Sequence, residues 1–387
     1  MSAETPLAIA AALPLAIWIY LIAAHGGFWL ARQRDDRGQP PDPAAWPAVT
    51  AVVPARDEAD VIARSIGSLL AQDYPGPFRV ILVDDNSSDG TARVAAGLPN
   101  AERLTILNGA PLPAGWTGKL WAVSQGVAAV AGGEPPPKYL LLTDADIAHA
   151  ADNLRRLVAR AEAGDLALTS LMARLSCANA AERLLIPAFV YFFAMVYPFA
   201  RVNDPRRRTA GAAGGCMLAR ADALTAAGGI AAIRTALIDD CTLGALMKTR
   251  GPIWLGLTDR AESIRPYGSI GEIGRMISRS AYAQLNYSPL ILAGAVLGMI
   301  ATYLAAPLVA VFAPWPWRWA GIAAWALMAL SFQPTLRFYR RSPLWGVGLP
   351  LIGALYTAFT LQSAIDVWRG RGGAWKGRAQ ALAGRIS

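Results

Sequence analysis

Acidic residues stand directly after two runs of apolar, β-forming residues in the first half of the chain. Asp84 and Asp85 follow the run VILV, and Asp144 and Asp146 follow the run YLLL and one threonine. Buried strands of a parallel sheet have such continuous apolar runs, and open α/β sheets bind ligands at the carboxyl ends of their strands. These carboxylates therefore predict an α/β domain with an acidic ligand site along one edge of its sheet.

A divalent metal ion is the expected partner of these acids. Carboxylates gathered at one edge repel one another unless a positive charge lies between them, and oxygen ligands select Mg²⁺ or Mn²⁺. In an extended segment, Asp144 and Asp146 face the same way and can hold one metal against substrate phosphates. We predict these two residues as ligands of Mg²⁺ or Mn²⁺, with a solvated loop at the strand end as the alternative.

The composition indicates a membrane protein. Of the 387 residues, 54% are hydrophobic and only 16% are charged, whereas roughly 25% are charged in typical soluble domains. The net charge is +9, from 36 basic and 27 acidic residues. The basic residues do not form one block, so anionic lipid headgroups and a diphosphate substrate are expected as partners rather than nucleic acid. Three scattered cysteines and two histidines predict neither a disulfide framework nor a zinc site.

The N-terminal segment is the first of several apolar stretches. Residues 7–30 contain no Asp, Glu, Lys or Arg, which is long enough to span a bilayer, and Arg32, Arg34 and Arg37 follow. Since the start carries Glu4 and no basic residue, we expect an uncleaved anchor rather than a signal peptide. The positive-inside rule then places the following domain in the cytosol, at a bacterial-type inner (plasma) membrane.

Further candidate spans at residues 289–312, 319–332 and 344–365 predict a multi-pass protein. Four full spans would place the basic tail outside, against the positive-inside rule, so the number of spans stays open. Residues 184–200 are uncharged, aromatic and interrupted by two prolines. We expect them to form an element in the membrane interface, with a buried core helix as the alternative.

Strand-like and helical runs alternate between these apolar segments. The predicted strands are 49–53, 80–83, 104–107, 140–142 and 166–170, and the predicted helices are 59–72, 90–96, 120–131 and 151–163. This alternation is typical of parallel βαβ units.

The motifs and their order resemble a known family. AVVPARDEADVIARSIGSLLAQDYPGPFRVILVDDNSSDGTA looks like the opening of a family 2 glycosyltransferase with the GT-A fold, TDADI is similar to its DxD motif, and IDDCTLG to its acidic catalytic motif. Three further stretches closely resemble the hopene-associated branch of membrane glycosyltransferases. They are GWTGKLWAVSQG, GAAGGCMLAR and RMISRSAYAQLNYSPL. Ceramide glucosyltransferases are more distant relatives. The resemblance implies a Rossmann-like, mostly parallel GT-A domain in the cytosol, with transmembrane helices at both ends.

The resemblance also implies a nucleotide-sugar donor, which we expect to be UDP-linked. In the family, the loop that corresponds to Pro54, Ala55 and Arg56 cradles the base. Asp85 would accept a hydrogen bond from the uracil ring or the ribose. Glu58 is assigned to the same donor site, although it could instead charge the first turn of the following helix.

Donor and acceptor are expected to meet near two further motifs. Lys119 would offset the charge of the diphosphate, and Asp144 would serve the donor as well as the metal; a surface lysine is the alternative for Lys119. Gly214, Gly215 and Cys216 correspond to a loop that lies beside the acceptor in relatives. A plain strand and turn is the alternative for this loop.

The general base is assigned to the third acidic pair. Inverting sugar transfer needs a carboxylate that takes the proton of the acceptor hydroxyl. We assign this role to Asp240, which matches the second acid of the family motif, with Asp239 in support and a helix N-cap as the alternative. Arg275 and Arg279 stand where relatives carry a Gln/Arg-x-x-Arg-Trp motif, here degraded. They would stabilise the leaving group, or alternatively contact lipid phosphate.

We therefore expect a membrane-bound inverting glycosyltransferase, of hexosyltransferase type, that moves a sugar from a nucleotide-diphosphate donor to a lipid-like acceptor. The resemblance suggests hopanoid metabolism. The alternatives are a non-catalytic membrane scaffold with a decayed transferase domain, a polysaccharide synthase and a transporter. The predicted domains are an anchor at 1–37, a linker at 38–48, the GT-A domain at 49–268, an interfacial segment with the arginines at 269–288, and a membrane region with a basic tail at 289–387.

Overall fold

The computed structural model describes residues 4–130 and 135–371, with two short backbone segments at 374–375 and 378–379. The chain divides into two compact units. The helical unit takes the described residues of Met1–Arg32, Cys177–Ala200 and Tyr267–Gly372, and the sheet unit those of Gln33–Ser176, Arg201–Pro266 and Gly373–Ser387. The predicted domain ranges stay a prediction, but residues 177–200 group with the terminal helices rather than with the sheet.

Eight strands of the sheet unit form one mixed sheet. They are β1 (Val49–Ala55), β2 (Phe78–Asp84), β3 (Leu104–Asn108), β4 (Tyr139–Thr143), β5 (Ile147–His149), β6 (Leu168–Arg174), β7 (Cys216–Arg220) and β8 (Ile253–Ser263). Their order is β3-β2-β1-β4-β7-β6-β8-β5. The neighbours among β3, β2, β1 and β4 pair in parallel, as the alternation of strands and helices predicts.

The second half of the sheet corrects the expectation of parallel βαβ units. β7 pairs antiparallel with both β4 and β6, β8 pairs parallel with β6, and β5 pairs antiparallel with β8. The apolar pattern of a buried strand is the same in either direction, so the run of residues alone does not reveal that β7 enters the sheet reversed.

The α-helices follow in chain order. They are α1 (Glu4–Ala23), α2 (Ile62–Leu70), α3 (Thr91–Ala96), α4 (Gly118–Val130), α5 (Asn153–Ala163), α6 (Ala180–Val196), α7 (Phe199–Val202), α8 (Ala221–Ala226), α9 (Asp239–Lys248), α10 (Ile270–Gln284), α11 (Pro289–Met299), α12 (Ala305–Phe312), α13 (Arg318–Phe338) and α14 (Leu349–Trp368). A π-helical turn, Ile300–Leu304, joins α11 to α12, and a 3₁₀ segment, Pro343–Gly348, leads into α14.

Helix α2 shows how the sequence selects these elements. Ile62, Ile66, Leu69 and Leu70 recur at helical spacing and are buried in the core that also holds the strands. The helix begins three residues later than predicted, because residues 57–61 form a turn in which the Glu58 carbonyl accepts the backbone N–H groups that open the helix.

The helical unit has its own buried polar contacts. Asn179 caps α6 and forms a reciprocal capping box with Glu182. The Tyr191 hydroxyl lies 2.6 Å from the Ser331 Oγ, and the Tyr356 hydroxyl donates to the Leu185 carbonyl at 2.9 Å. Residues 184–196 thus lie in a helix with one face packed inside this unit, while their predicted place at a membrane interface stays a prediction.

Two helices among the described residues have the length and hydropathy of a membrane span. They are Pro289–Phe312, with a mean hydropathy of 2.1, and Pro343–Trp368, with 1.5. The predicted anchor is a shorter helix: α1 ends at Ala23, and its described apolar part is Ala11–Ala23. The predicted candidate at 319–332 lies in α13, which is not one of these two helices.

Helix α4 packs unusually close to the sheet. A Cβ atom on Gly126 would lie 2.4 Å from Val52 Cγ1 and 3.0 Å from Val83 Cγ2, so only glycine fits without movement. On α2, by contrast, a Cβ on Gly67 would meet no heavy atom within 4 Å.

The two glycines therefore predict opposite stability changes. Gly126→Ala should destabilise the protein by about 1–3 kcal/mol, because the added methyl overpacks the contact with β1. Gly67→Ala, the matched control, should be neutral or stabilising by up to about 1 kcal/mol, because alanine favours a helix. Thermal unfolding of both variants checks this; equal melting temperatures would contradict the close approach of α4.

Candidate active site

Three strands of the sheet unit end at the same edge. Ala55, the last residue of β1, pairs with Asp84, the last residue of β2, and Val52 pairs with Leu142 of β4. The segments that follow, which begin at Arg56, Asp85 and Asp144, therefore leave the sheet together. This is the carboxyl edge at which open α/β sheets bind ligands.

The reversed strand β7 brings a second loop to this edge. Thr143 of β4 pairs with Cys216, the first residue of β7. The Thr143 hydroxyl donates to the Gly215 carbonyl at 2.7 Å, and the Gly214 N–H donates to Asp240 Oδ2 at 3.0 Å. The antiparallel pairing thus places the predicted acceptor loop beside the second and third acidic motifs.

Lys119 joins two of the acidic motifs. Its Nζ lies 2.7 Å from Asp144 Oδ1 and 3.0 Å from Asp239 Oδ2, and the lysine side chain is only 21% exposed. Burial opposes the charged ammonium, but the two carboxylates outweigh it and raise the pKa of Lys119. Burial likewise raises the pKa of Asp144, with Lys119 opposing that shift. Lys119, Asp144 and Asp239 are therefore parts of one ion cluster.

Asp146 belongs to a neighbouring ion cluster that the sequence did not predict. Its Oδ2 lies 3.3 Å from Nε of Arg265, whose guanidinium also pairs with Glu58 and lies 3.8 Å from Asp60. Arg265 follows β8 by two residues, and only the pairing of distant strands brings it here, so no local signal marks it. Its contacts with Asp146 and Glu58 add the Arg265 guanidinium to the predicted site residues.

The segment from Asp144 to Asp146 corrects one sequence expectation. It is a turn, in which the Ile147 N–H donates to the Asp144 carbonyl at 3.3 Å, and not an extended run. The chain has to reverse here because β5, which starts at Ile147, pairs with β8 rather than extending β4. The two carboxylates accordingly contact different cations.

Asp240 sits in the first turn of α9, beside Asp239. Its Oδ1 accepts the Cys241 N–H at 2.7 Å and its Oδ2 accepts the Gly214 N–H. Burial and then the Asp239 carboxylate raise the pKa of Asp240 to about 6, although Lys119 and the two N–H groups act in the opposite direction. The Asp240 carboxylate thus accepts a backbone N–H at the start of α9 and is also more basic than an ordinary aspartate.

The predicted nucleotide loop is ordered around a buried acid. Arg56 Nη1 donates to the Asp85 carbonyl at 2.5 Å and lies 3.8 Å from Asp85 Oδ2. Asp85 is fully buried. Asp89, which follows in the same loop, accepts the N–H of Thr91, the first residue of α3, at 3.0 Å.

The other predicted site residues differ in their exposure. Arg275 and Arg279 are exposed on α10 in the helical unit, where Arg275 lies 4.0 Å from Glu272. Cys216 is buried, with its thiol near Asn153, and burial raises its pKa to about 12. Ala55 is buried within β1. The roles predicted for these residues stay predictions, and the Cys216 thiol does not face solvent.

A cleft lies beside the Lys119 cluster. Its lining combines predicted polar residues with an apolar wall that sequence reasoning missed. The lining residues are Pro54, Lys119, Leu120, Val123, Leu142, Thr143, Asp144, Gly214, Met217, Ile230, Ile233, Asp239 and Leu243. Ile230 and Ile233 come from a 3₁₀ turn with no distinctive motif, so no local signal could have found them.

The residues at this edge fit a divalent metal that is bound by two carboxylates and completed by water and substrate phosphates. Among the described residues, no group of three or more His, Cys, Asp or Glu side chains forms a complete metal site. Asp144 and Asp146 supply two carboxylates, and Lys119 shows that a cation is stable against Asp144. Mg²⁺ is commonly bound by one or two carboxylates with water and substrate phosphates, which matches this set.

The pKa of Asp240 predicts a stability change. Because the folded-state pKa of about 6 exceeds the ordinary 3.8, the folded protein holds this proton more tightly than the unfolded chain. The resulting stability is present at low pH and is lost as pH rises through about 6. Asp240→Asn should therefore melt at a higher temperature than the wild type at pH 7.5, with a difference that shrinks towards pH 4. The control Asp73→Asn, at an exposed carboxylate, should show no such rise; a lower melting temperature for Asp240→Asn at pH 7.5 would contradict this reasoning.

Comparison with known proteins agrees with this architecture. Residues 50–227 match the family model Glycosyl transferase family 2. A stretch of 118 residues is 36% identical to the succinoglycan biosynthesis protein ExoO of Rhizobium meliloti (strain 1021). That match covers 30% of this chain and 30% of the relative, so it spans less than a third of the curated protein's length.

Solved structures are similar over more of the chain. The mannosyltransferase PcManGT from Pyrobaculum calidifontis, in complex with GDP-Man and Mn²⁺, is similar over 92% of this chain and 99% of its own, with 20% identity and a TM-score of 0.50. Mannosyl-3-phosphoglycerate synthase from Rubrobacter xylanophilus is similar over 68% of this chain and 82% of its own, with 19% identity and a TM-score of 0.42.

The likeness to PcManGT shows the fold, a mixed α/β sheet of the GT-A type. The resemblance to family 2 is confirmed by the family model, whereas the hopene-associated branch and the relation to ceramide glucosyltransferases stay predictions. Residues 50–227 thus match the family 2 glycosyltransferase model, and the sheet topology agrees with that match.

Proposed function

We propose that this protein transfers a sugar, with inversion, from a nucleotide-diphosphate donor to a lipid-like acceptor. One observation carries the proposal. Lys119 joins Asp144 of the DxD-like motif, within the range that matches family 2, to Asp239 of the catalytic-type motif beyond that range, and Asp240 adjoins Asp239. The proposal assigns the donor, the metal and the base to these neighbouring residues.

The donor side of the proposal rests on charge and position. Arg56 and Asp85 leave the sheet beside Asp144 and would contact the nucleoside, which we take to be uridine from the family resemblance. Lys119 would face the diphosphate, since a lysine ammonium is a compact phosphate-binding charge. The mannosyltransferase of similar fold was solved with GDP-Man and Mn²⁺, which supports a nucleotide sugar and a divalent metal as a class.

Asp240 is proposed as the general base because its environment differs from that of Asp239. The Asp239 carboxylate is neutralised by Lys119 at 3.0 Å, whereas burial raises the pKa of Asp240 to about 6. A carboxylate with a raised pKa is a better proton acceptor near neutral pH. Asp239 would then support the cluster by holding Lys119.

The reaction follows as a single displacement. The acceptor hydroxyl oxygen attacks C1 of the sugar while its proton passes to a carboxylate oxygen of Asp240. The bond between C1 and the diphosphate oxygen breaks, and its electron pair leaves with the diphosphate, whose negative charge the Lys119 ammonium would offset. Attack on the face opposite the leaving group inverts C1. A divalent metal at Asp144 and Asp146 would neutralise charge on the departing diphosphate.

The acceptor and the location are proposed from the helical unit. Its two candidate spans expose large apolar side chains, including Leu290 at 85%, Phe312 at 77% and Leu344 at 79%. Exposed apolar surface of this kind marks a membrane or partner contact. We therefore infer a multi-pass protein of a bacterial-type inner (plasma) membrane with its catalytic domain in the cytosol, and, from the sequence motifs, a hopanoid-related acceptor.

A second candidate is a polysaccharide synthase. It is favoured by the 118-residue match to a succinoglycan biosynthesis protein. The two candidates differ in the acceptor and share the donor chemistry.

Release of UDP from UDP-sugars tests the function and the base together. The wild type should release UDP on addition of candidate lipids in the presence of Mn²⁺ or Mg²⁺. Asp240→Asn should lower kcat by about 10²–10⁴-fold with donor affinity nearly unchanged, because a general base acts in the transition state. Asp239→Asn should be milder.

Each other result has a definite meaning. Release on addition of saccharides alone would favour the polysaccharide synthase. If Asp240→Asn keeps full activity and Asp239→Asn loses it, the general base is Asp239 rather than Asp240. Activity in both variants would leave this pair as a helix cap and refute the mechanism, and absence of any transfer would favour a scaffold.

The topology is tested with a reporter fused after Asp165, whose side chain is 89% exposed in the sheet unit. Arg32, Arg34 and Arg37 predict that the fusion reports the cytosol. A reporter that is active only in the periplasm would overturn the orientation and put nucleotide sugars out of reach.

A further inference from the structure

Each carboxylate of the Asp144 and Asp146 pair is held by a different cation of the chain. Lys119 Nζ lies 2.7 Å from Asp144 Oδ1, and Arg265 Nε lies 3.3 Å from Asp146 Oδ2. Neither cation is adjacent in sequence to the acid that it contacts. The two acids that would bind a metal are therefore already neutralised from two sides by the protein itself.

Both cations also have a second anchor. Lys119 lies 3.0 Å from Asp239 Oδ2, and Arg265 pairs with the largely buried Glu58. If Lys119 leaves Asp144, or Arg265 leaves Asp146, the side chain thus stays paired with its second carboxylate. The fold can therefore exchange the partner of Asp144 without expelling a charged side chain into solvent.

Like charges make this arrangement selective. A divalent cation that approaches Asp144 alone meets an ammonium within contact distance of the same oxygen, and the repulsion is strong in a partly buried site. A nucleoside diphosphate changes the balance, because its oxygens can receive Lys119 and Arg265 and can also complete the coordination of the metal.

We propose that Lys119 and Arg265 are internal counter-ions that keep the Asp144 and Asp146 pair closed to a metal until a nucleoside diphosphate arrives. This inference rests on the proposed donor site and adds a dependence of metal binding on nucleotide binding. The dependence is reciprocal, so the metal strengthens nucleotide binding by the same factor. Lys119 contacts two carboxylates, whereas the Arg265 guanidinium has three in reach.

Binding of Mn²⁺ to the full chain tests this proposal without any measurement of activity. Electron paramagnetic resonance or calorimetry gives the Mn²⁺ affinity alone, with UDP and with GDP. We expect the wild type to bind Mn²⁺ at least about tenfold more tightly with one of these nucleotides than without. Lys119→Met should bind Mn²⁺ at least about tenfold more tightly than the wild type when no nucleotide is present.

The matched control is Lys138→Met. Lys138 also pairs with a carboxylate, Glu162, at 2.7 Å in the sheet unit, but it lies outside the cleft. Its removal should leave the Mn²⁺ affinity unchanged with and without nucleotide. Lys119→Gln, which keeps a polar side chain, should behave as Lys119→Met does and replaces that variant if the latter does not fold.

The outcomes separate this inference from the proposed function. Unchanged or weaker nucleotide-free Mn²⁺ binding in the Lys119 variants overturns the counter-ion role, and so does a wild-type affinity that is independent of nucleotide. Asp144→Asn should abolish Mn²⁺ binding with UDP and with GDP. If it does so while the Lys119 variants match the wild type, the metal assignment stands and only the counter-ion role fails. If Asp144→Asn binds Mn²⁺ as the wild type does, both proposals are wrong.

Discussion

The contact of one ammonium with two carboxylates organises this site. Lys119 comes from the first turn of α4, Asp144 from the end of β4 and Asp239 from the first turn of α9, so segments more than a hundred residues apart meet at Lys119 Nζ. Without this charge the carboxylates would repel one another across a partly buried space. Asp240, the neighbour of Asp239 in the first turn of α9, accepts the Gly214 N–H beside this contact.

Much of this edge could be predicted from the sequence because it is encoded locally. Apolar runs that end in acids identify β2 and β4 and place Asp85 and Asp144 at the ligand edge, and the helical spacing of Ile62 and Ile66 identifies α2. What could not be predicted depends on pairing between distant segments. The reversal of β7, the turn at 144–146 that β5 imposes, and the arrival of Arg265 from the end of β8 leave no mark in any short stretch.

The helical unit shows the same limit in a different form. Composition identified the long apolar stretches, and two of them are helices with the length and hydropathy of a span. The uncharged stretch at 7–30 continues beyond the N-terminal helix. The helix ends at Ala23, and Gly26 and Gly27 follow in the left-handed region. The helix at 180–196 begins where it does because Asn179 and Glu182 cap it reciprocally, a signal that lies just before the stretch selected by hydropathy.

The reversal of β7 has a consequence for how such a protein diversifies. Its direction means that the loop ahead of the strand, rather than the one after it, reaches the cleft, while the loops that we propose for the donor leave from β1, β2 and β4. The proposed acceptor side is thus built on a strand that runs against the parallel strands β1, β2 and β4. Under the proposed function, changes in the loop ahead of β7 would alter the acceptor side and leave the loops after β1, β2 and β4 in place, so that the acceptor could change while the donor stays the same.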